Sequence, residues 1–131
     1  MALWRLTEAW GRLRRGLAVL CLAGPLALIG PAFGLAAELV MFETGGCPWC
    51  AAWNEEVGEI YHKTPEGRRA PLRRVDLEAA RPPDLSAVRG VVYTPTFVLV
   101  EEGREVGRIA GYPGVDHFWG LLAQLLDELD P

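Results

Sequence analysis

Cysteine is scarce in this sequence. Of its 131 residues only Cys21, Cys47 and Cys50 carry thiols, which excludes a small scaffold stapled by several wide disulfide loops. Histidine is scarcer, with only His62 and His117. Together with the cysteines these form no recognised zinc-ligand spacing, and each reads as a surface or helix-end residue. Blocks of basic residues are missing beyond the N-terminal segment. From Glu38 onward nine Lys and Arg face sixteen Asp and Glu, a formal charge of −7, so nothing is left to grip a phosphate backbone and a nucleic-acid partner is excluded. The pairs Arg68-Arg69 and Arg73-Arg74 read as parts of a solvated loop and a strand edge. No internal repeat or low-complexity stretch is present.

One long uncharged run is present, and it lies near the N-terminus. Arg12, Arg14 and Arg15 precede 22 uncharged residues, Gly16 to Ala37, interrupted by Gly24 and Pro25 and ending in the small residues Gly34, Ala36 and Ala37. Positive flank, apolar centre and small-residue end are the three parts of a secretory signal. The expected organisation is therefore a signal peptide over 1–37, cleaved after Ala36 or Ala37 and carrying Cys21 away, followed by one domain over 38–131. The competing reading is an uncleaved membrane anchor, since the run is long enough to span a bilayer.

Within 38–131 the hydrophobic pattern predicts an α/β domain. "ELVMF", Glu38–Phe42, reads as a buried strand that stops at Gly45-Gly46. Trp53, Val57, Ile60 and Tyr61 then recur at helical spacing, and Pro48 suits the first turn of that helix. The helix is expected to fail near Lys63, before Pro65. "LRRVDL" predicts a strand over Leu72–Leu77, and "DLSAVRG" a short helix from Asp84 to Gly90. "TFVLV" and "EVGRIAG" predict two strands joined by "EEGR" as a hairpin. A last helix begins near Asp116, with Phe118, Leu122, Leu125, Leu126 and Leu129 on its apolar face. Tyr93, Phe97, Val98 and Phe118 are expected in the core. The architecture that follows is a four-stranded mixed sheet with flanking helices, Glu38–Phe42 and Thr96–Val100 at its centre.

The chemistry is concentrated in "MFETGGCPWCAAW", Met41 to Trp53. A lone C-x-x-C serves metal binding, structure or redox exchange equally well. Here it falls where the first strand meets the first helix. A thiol at a helix N-terminus sees unpaired backbone N–H groups and the positive end of the helix dipole. Both favour thiolate, the nucleophile of disulfide exchange. Cys47 is therefore the expected attacking thiol. Cys50, one turn along, is the expected resolving thiol. Zinc would need two further ligands, but copper(I), a soft ion, would bind the bare pair. Trp49 offers an apolar face for docking a peptide, or shields the disulfide.

"CPWC" after the first strand and "YTPTF" about 45 residues later together resemble the thioredoxin and glutaredoxin superfamily. The resemblance covers the chain from Glu38 onward. It implies a thioredoxin-like fold and a cis Thr94-Pro95 bond beside the cysteines. It also implies a groove shaped by Thr94 and Pro95 beside Pro48 of the active-site loop, with Gly111 and Tyr112 of "GYPG" as substrate contacts; Trp49 is the docking face already named. No organic cofactor or metal is implied, because the dithiol is the redox group. "EGRRAPLRRVDL", "YTPTFVLVEEGREVGRIAGYPG" and "FWGLL" further resemble the thioredoxin-like proteins of bacterial sulfur-oxidation operons. That implies a periplasmic thiol–disulfide oxidoreductase that keeps the carrier protein of thiosulfate oxidation reduced, with electrons supplied through the membrane. A binding module without turnover, and a copper(I) chaperone, are the alternative function classes. In one place the sequence departs from the superfamily. Where thioredoxins carry a buried carboxylate that helps deprotonate the second cysteine, this chain has Met41. Glu43, two residues on, is the candidate proton acceptor.

Overall fold

The structure, a computed structural model, describes residues 36–129. Of the expected signal segment only Ala36 and Ala37, which flank the expected cleavage points, lie within them; the rest lies outside. Among the described residues no helix is long and apolar enough to cross a membrane. The chain forms β1 (Glu38–Glu43), β2 (Leu72–Asp76), β3 (Thr96–Glu101) and β4 (Arg104–Ala110). They make one mixed sheet in the order β2-β1-β3-β4, with β1 parallel to β2 and antiparallel to β3. The two central strands are the two expected, and both bury residues on both faces, which explains their unbroken apolar runs. The hairpin between β3 and β4 turns at Glu102 and Gly103, both with positive φ (52° and 74°). That backbone twist suits a tight two-residue hairpin loop.

Alternation along the strands divides the core in two. Leu39, Met41, Phe97 and Leu99 face one side, where they meet Cys50, Trp53, Val57, Tyr61, Phe118 and Leu122. These helical residues come from α1 (Pro48–Trp53), the π-helical segment Asn54–Gly58, α2 (Glu59–Tyr61) and α4 (Val115–Asp127). Trp53 is the hub, with ring centroids 5.1 Å from Phe97, 5.6 Å from Phe118 and 6.1 Å from Tyr61. Such pairs add about 0.5–1.5 kcal/mol each beyond the area they bury. Val40, Phe42, Val98 and Val100 face the opposite side.

That opposite side is where the first correction falls. The helix expected over Asp84–Gly90 is a single 3-10 turn, Pro83–Leu85. The rest of the segment is irregular, yet it still drops Leu85, Val88 and Val91 onto the sheet. Gly90, with φ +67°, ends the segment. Two further corrections concern the first helix. Ile60, expected on its apolar face, is 48% exposed, because the π-helical segment rotates the register after Trp53. Gly58 lies in that segment, where an added Cβ would sit 3.2 Å from the Trp53 ring. The helical run does stop where expected. A new turn, α3 (Pro65–Arg69), then starts at once and carries Arg68 and Arg69, which were expected on a loop. Thr64 caps it, accepting from the Gly67 N–H at 3.0 Å and donating to the Tyr61 carbonyl at 2.8 Å.

Candidate active site

β1 ends at Glu43, and a turn through Thr44, Gly45 and Gly46 (φ +73°) delivers the chain to Cys47. Cys47 is the N-cap of α1, with extended backbone and Pro48 in the first helical turn. Its N–H donates to the Thr44 carbonyl at 3.4 Å, and its carbonyl accepts from Ala51 at 3.1 Å. The Cys50 N–H donates to Cys47 Sγ at 3.1 Å, so an orphan donor of the first turn is aimed at that sulfur. Cys47 and Cys50 form a disulfide, their Cα atoms 5.3 Å apart. The two sulfurs are not equivalent. Cys47 is half-buried at the surface, whereas Cys50 is 3% exposed and packs with the core. An open cleft of about 360 Å³ reaches both, walled in part by Glu43, Thr44 and Asn54.

Two more loops are tied to the one that carries Cys47. Thr94-Pro95 is a cis peptide bond. The Thr94 hydroxyl lies 3.3 Å from that of Thr44, which ties this loop to the one carrying Cys47. The Gly111 N–H donates to the Pro95 carbonyl at 2.8 Å, so the loop after β4 is held against the proline. Tyr112, the next residue, crosses to the helical run, where its hydroxyl donates to Glu56 and its ring meets Phe118. Desolvation first, and the Glu56 hydrogen bond second, hold the Tyr112 phenol above its ordinary pKa. Pro48 and Trp49 stand exposed beside Cys47, Trp49 at 64%. Hydrogen bonds therefore join Thr94, Pro95 and Gly111 to the loop that carries Cys47, one connected network beside Pro48 and Cys50 of α1. Tyr112 lies on its border, with its hydroxyl already engaged.

Tyr93 is a correction. Expected in the core, it is 71% exposed, and Val92 beside it is 69% exposed. β3 begins only at Thr96, so strand alternation does not reach back through Pro95. What turns inward at position 93 is the carbonyl, which accepts from the Thr96 hydroxyl at 2.7 Å.

Glu43 shares a strand face with Met41 and therefore with Cys50. Its carboxylate pairs with Arg74 at 2.9 Å. The same guanidinium donates to Asn54 Oδ1 at 2.7 Å and reaches Met41 Sδ at 3.6 Å, over the Trp53 ring. Sequence reasoning missed Arg74, Asn54 and Thr44. A signal for Arg74 existed: on β2 it alternates with Leu72, which packs on the core, so it must face the same side. His62 ends α2 and His117 lies in the first turn of α4, both exposed. Among the described residues no three His, Cys, Asp or Glu side chains cluster so as to hold a metal ion.

Comparison with known proteins gives a consistent result. The thioredoxin-like domain family matches residues 37–126. The solved structure of the periplasmic thioredoxin SoxS from Paracoccus pantotrophus, in its reduced form, is 45% identical with a TM-score of 0.69. The match covers 72% of this chain and 99% of SoxS. Thioredoxins from Malassezia sympodialis (20% identity, TM-score 0.53, 71% of this chain and 77% of that one) and Fasciola hepatica (23%, 0.51, 67% and 79%) share the fold. No curated protein matches the chain.

Proposed function

Because this chain belongs to the thioredoxin-like family, we propose that it is a thiol–disulfide oxidoreductase working through Cys47 and Cys50. The observation that carries this reading is the asymmetry of the pair. The sulfur at the helix cap is reachable and accepts a backbone N–H, while its partner is buried one turn away. Cys47 attacks a substrate disulfide as thiolate, and one substrate sulfur departs. Cys50 then attacks Cys47 Sγ, which releases the second substrate sulfur and closes the protein disulfide. Pro48, Trp49, Thr94, Pro95 and Gly111 border the path by which a partner's disulfide reaches Cys47, and Tyr112 walls one side. Pro95 has no N–H to offer a competing contact there.

The finer assignment rests on the likeness to SoxS, a periplasmic thioredoxin, and on the sequence motifs. The segment 1–37 exports the domain 38–131 to the periplasm and is cleaved. The substrate is a protein disulfide, namely that of the carrier protein of thiosulfate oxidation, and a membrane donor restores the dithiol. No metal or organic cofactor takes part. Trapping tests the roles of the cysteines. Cys50→Ser is expected to accumulate a mixed disulfide with the partner in the native periplasm, and Cys47→Ser none. The reverse pattern would exchange the roles. An absence of both adducts, together with failure to reduce insulin, would point to a module without turnover.

A further inference from the structure

The loop that follows β4 has little of its own to fix it in place. Gly111 and Gly114 both take positive φ (83° and 93°), with Pro113 between them. Gly114 is the N-cap of α4 and has no side chain to cap it with. Apart from the bond that opens α4, two hydrogen bonds tie this loop to other parts of the described chain. The Gly111 N–H donates to the Pro95 carbonyl at 2.8 Å, one step beyond the last β3–β4 pair, Thr96 with Ala110. The Tyr112 hydroxyl donates to the Glu56 carboxylate.

The first of these bonds leads to the cis proline, the second to the helical run that starts at the cysteines. A closed circuit results. The Cys47 N–H is bonded to Thr44, whose hydroxyl lies 3.3 Å from that of Thr94. Pro95 holds Gly111, Tyr112 holds Glu56, and the helical run returns to Cys50. Thr44 thus ties down one end of the proline wall and Glu56 the other. Glu56 is exposed on the π-helical segment and is not among the residues that wall the cleft at the sulfurs. The Tyr112 ring is braced edge-to-face by Phe118, 6.3 Å away, which aims its hydroxyl. A bond to a carboxylate is stronger than one between neutral groups. We propose that Glu56 is a positioning residue: by holding Tyr112 it keeps Gly111 on Pro95, and so fixes the wall against which a protein disulfide lies as it meets Cys47. This rests on the oxidoreductase reading above. Tyr112, expected as a substrate contact, gives its hydroxyl to Glu56 and not to the substrate. A disulfide carried on a protein depends on that wall, whereas a small disulfide reaches Cys47 without it.

Steady-state reduction of insulin by the full chain, with dithiothreitol as reductant, gives KM and kcat. Reaction with 5,5′-dithiobis(2-nitrobenzoate) reports on the dithiol alone. Glu56→Ala is expected to raise KM for insulin by about three- to tenfold, the range of one net hydrogen bond. Its kcat should hold, the mark of lost binding shared by ground state and transition state, and so should its rate with the small disulfide. Tyr112→Phe, which keeps the ring on Phe118, should raise KM by the same factor. Glu56→Gln keeps an acceptor oxygen and should recover most of the loss. The double variant Glu56→Ala/Tyr112→Phe should be no worse than either single one, since both cut the same bond. An unchanged KM in Glu56→Ala overturns the assignment. So do additive effects in the double variant, a Glu56→Gln protein no better than Glu56→Ala, or a small-disulfide rate that falls in step with kcat/KM. If the unsubstituted protein fails to reduce insulin, the oxidoreductase reading itself fails and takes this assignment with it.

Discussion

Tyr61 shows how one side chain joins the helical layer to the sheet. It is fully buried, and its hydroxyl donates to the Ala70 carbonyl at 2.7 Å, just before β2 begins. Tyr61→Phe leaves that carbonyl without its partner, a loss of about 1–3 kcal/mol at neutral pH. The same residue gives stability an alkaline limit. Burial first, and the nearby charge of Glu66 second, hold the folded phenol above its ordinary pKa of 10.0. The unfolded chain therefore loses this proton first as pH rises. Stability is fully present below about pH 10 and declines above it. Denaturant unfolding from pH 8 to 12 should show that decline, and Tyr61→Phe should make it shallower. Tyr112, raised in the same direction, sustains the remaining slope. An unaltered slope in Tyr61→Phe would mean that Tyr61 ionises freely in the folded state.

Between elements, two glycines make opposite predictions. A Cβ on Gly67 of α3 would lie 1.9 Å from the Tyr61 carbonyl oxygen, and both atoms are backbone, so nothing can swing away. Gly67→Ala should destabilise by about 3 kcal/mol or more. Gly120 is exposed in α4, and a Cβ there meets nothing within 4 Å. Gly120→Ala should stabilise by about 1 kcal/mol, the helix-propensity difference. Chemical unfolding of the two variants checks both signs. The helix broken between Tyr61 and Gly67 also shows where the sequence was readable. Periodicity identifies β1, β3, β4, α4 and the first helix, because their apolar faces are long. It misses α3, although Thr64 before Pro65 is a cap signal, because a five-residue turn carries no periodicity of its own. It also misplaces Tyr93, since an aromatic residue beside Val91 and Val92 looks like strand until Pro95 ends the alternation. In the site, Cys47, Cys50 and Pro95 stand out because their chemistry is local. Arg74 and Asn54 do not, because β1–β2 register brings Arg74 to Glu43 across 31 residues of chain and to Asn54 across 20.

Taken as a whole, the molecule links its redox direction to its stability. A dithiol more easily oxidised in the folded protein than in the unfolded chain makes the oxidised fold the more stable one, and a low potential of that kind favours electron donation. A protein becomes an oxidant when its reduced form is specially stabilised, chiefly by charge that favours the thiolate. Such charge is sparse here. Cys47 Sγ receives one backbone N–H, from Cys50. Among the described residues that wall the cleft around it none is cationic, and its charged wall is the acidic Glu43. Arg74, the cation just behind, is already paired with that carboxylate. The oxidised protein should therefore resist denaturant better than the reduced one. Every 1.4 kcal/mol of that difference places the Cys47–Cys50 potential about 30 mV below that of the unfolded pair. Equilibrium unfolding of both forms at equal pH, with the reduced sample kept under excess dithiol, gives the difference directly. Titration of the folded protein against glutathione gives the potential independently, and the two should agree in sign. A reduced form that proved the more stable would place the Cys47–Cys50 potential above that of the unfolded pair and would count against the proposed task of keeping a carrier protein reduced, even if the chemistry at Cys47 and Cys50 were unchanged.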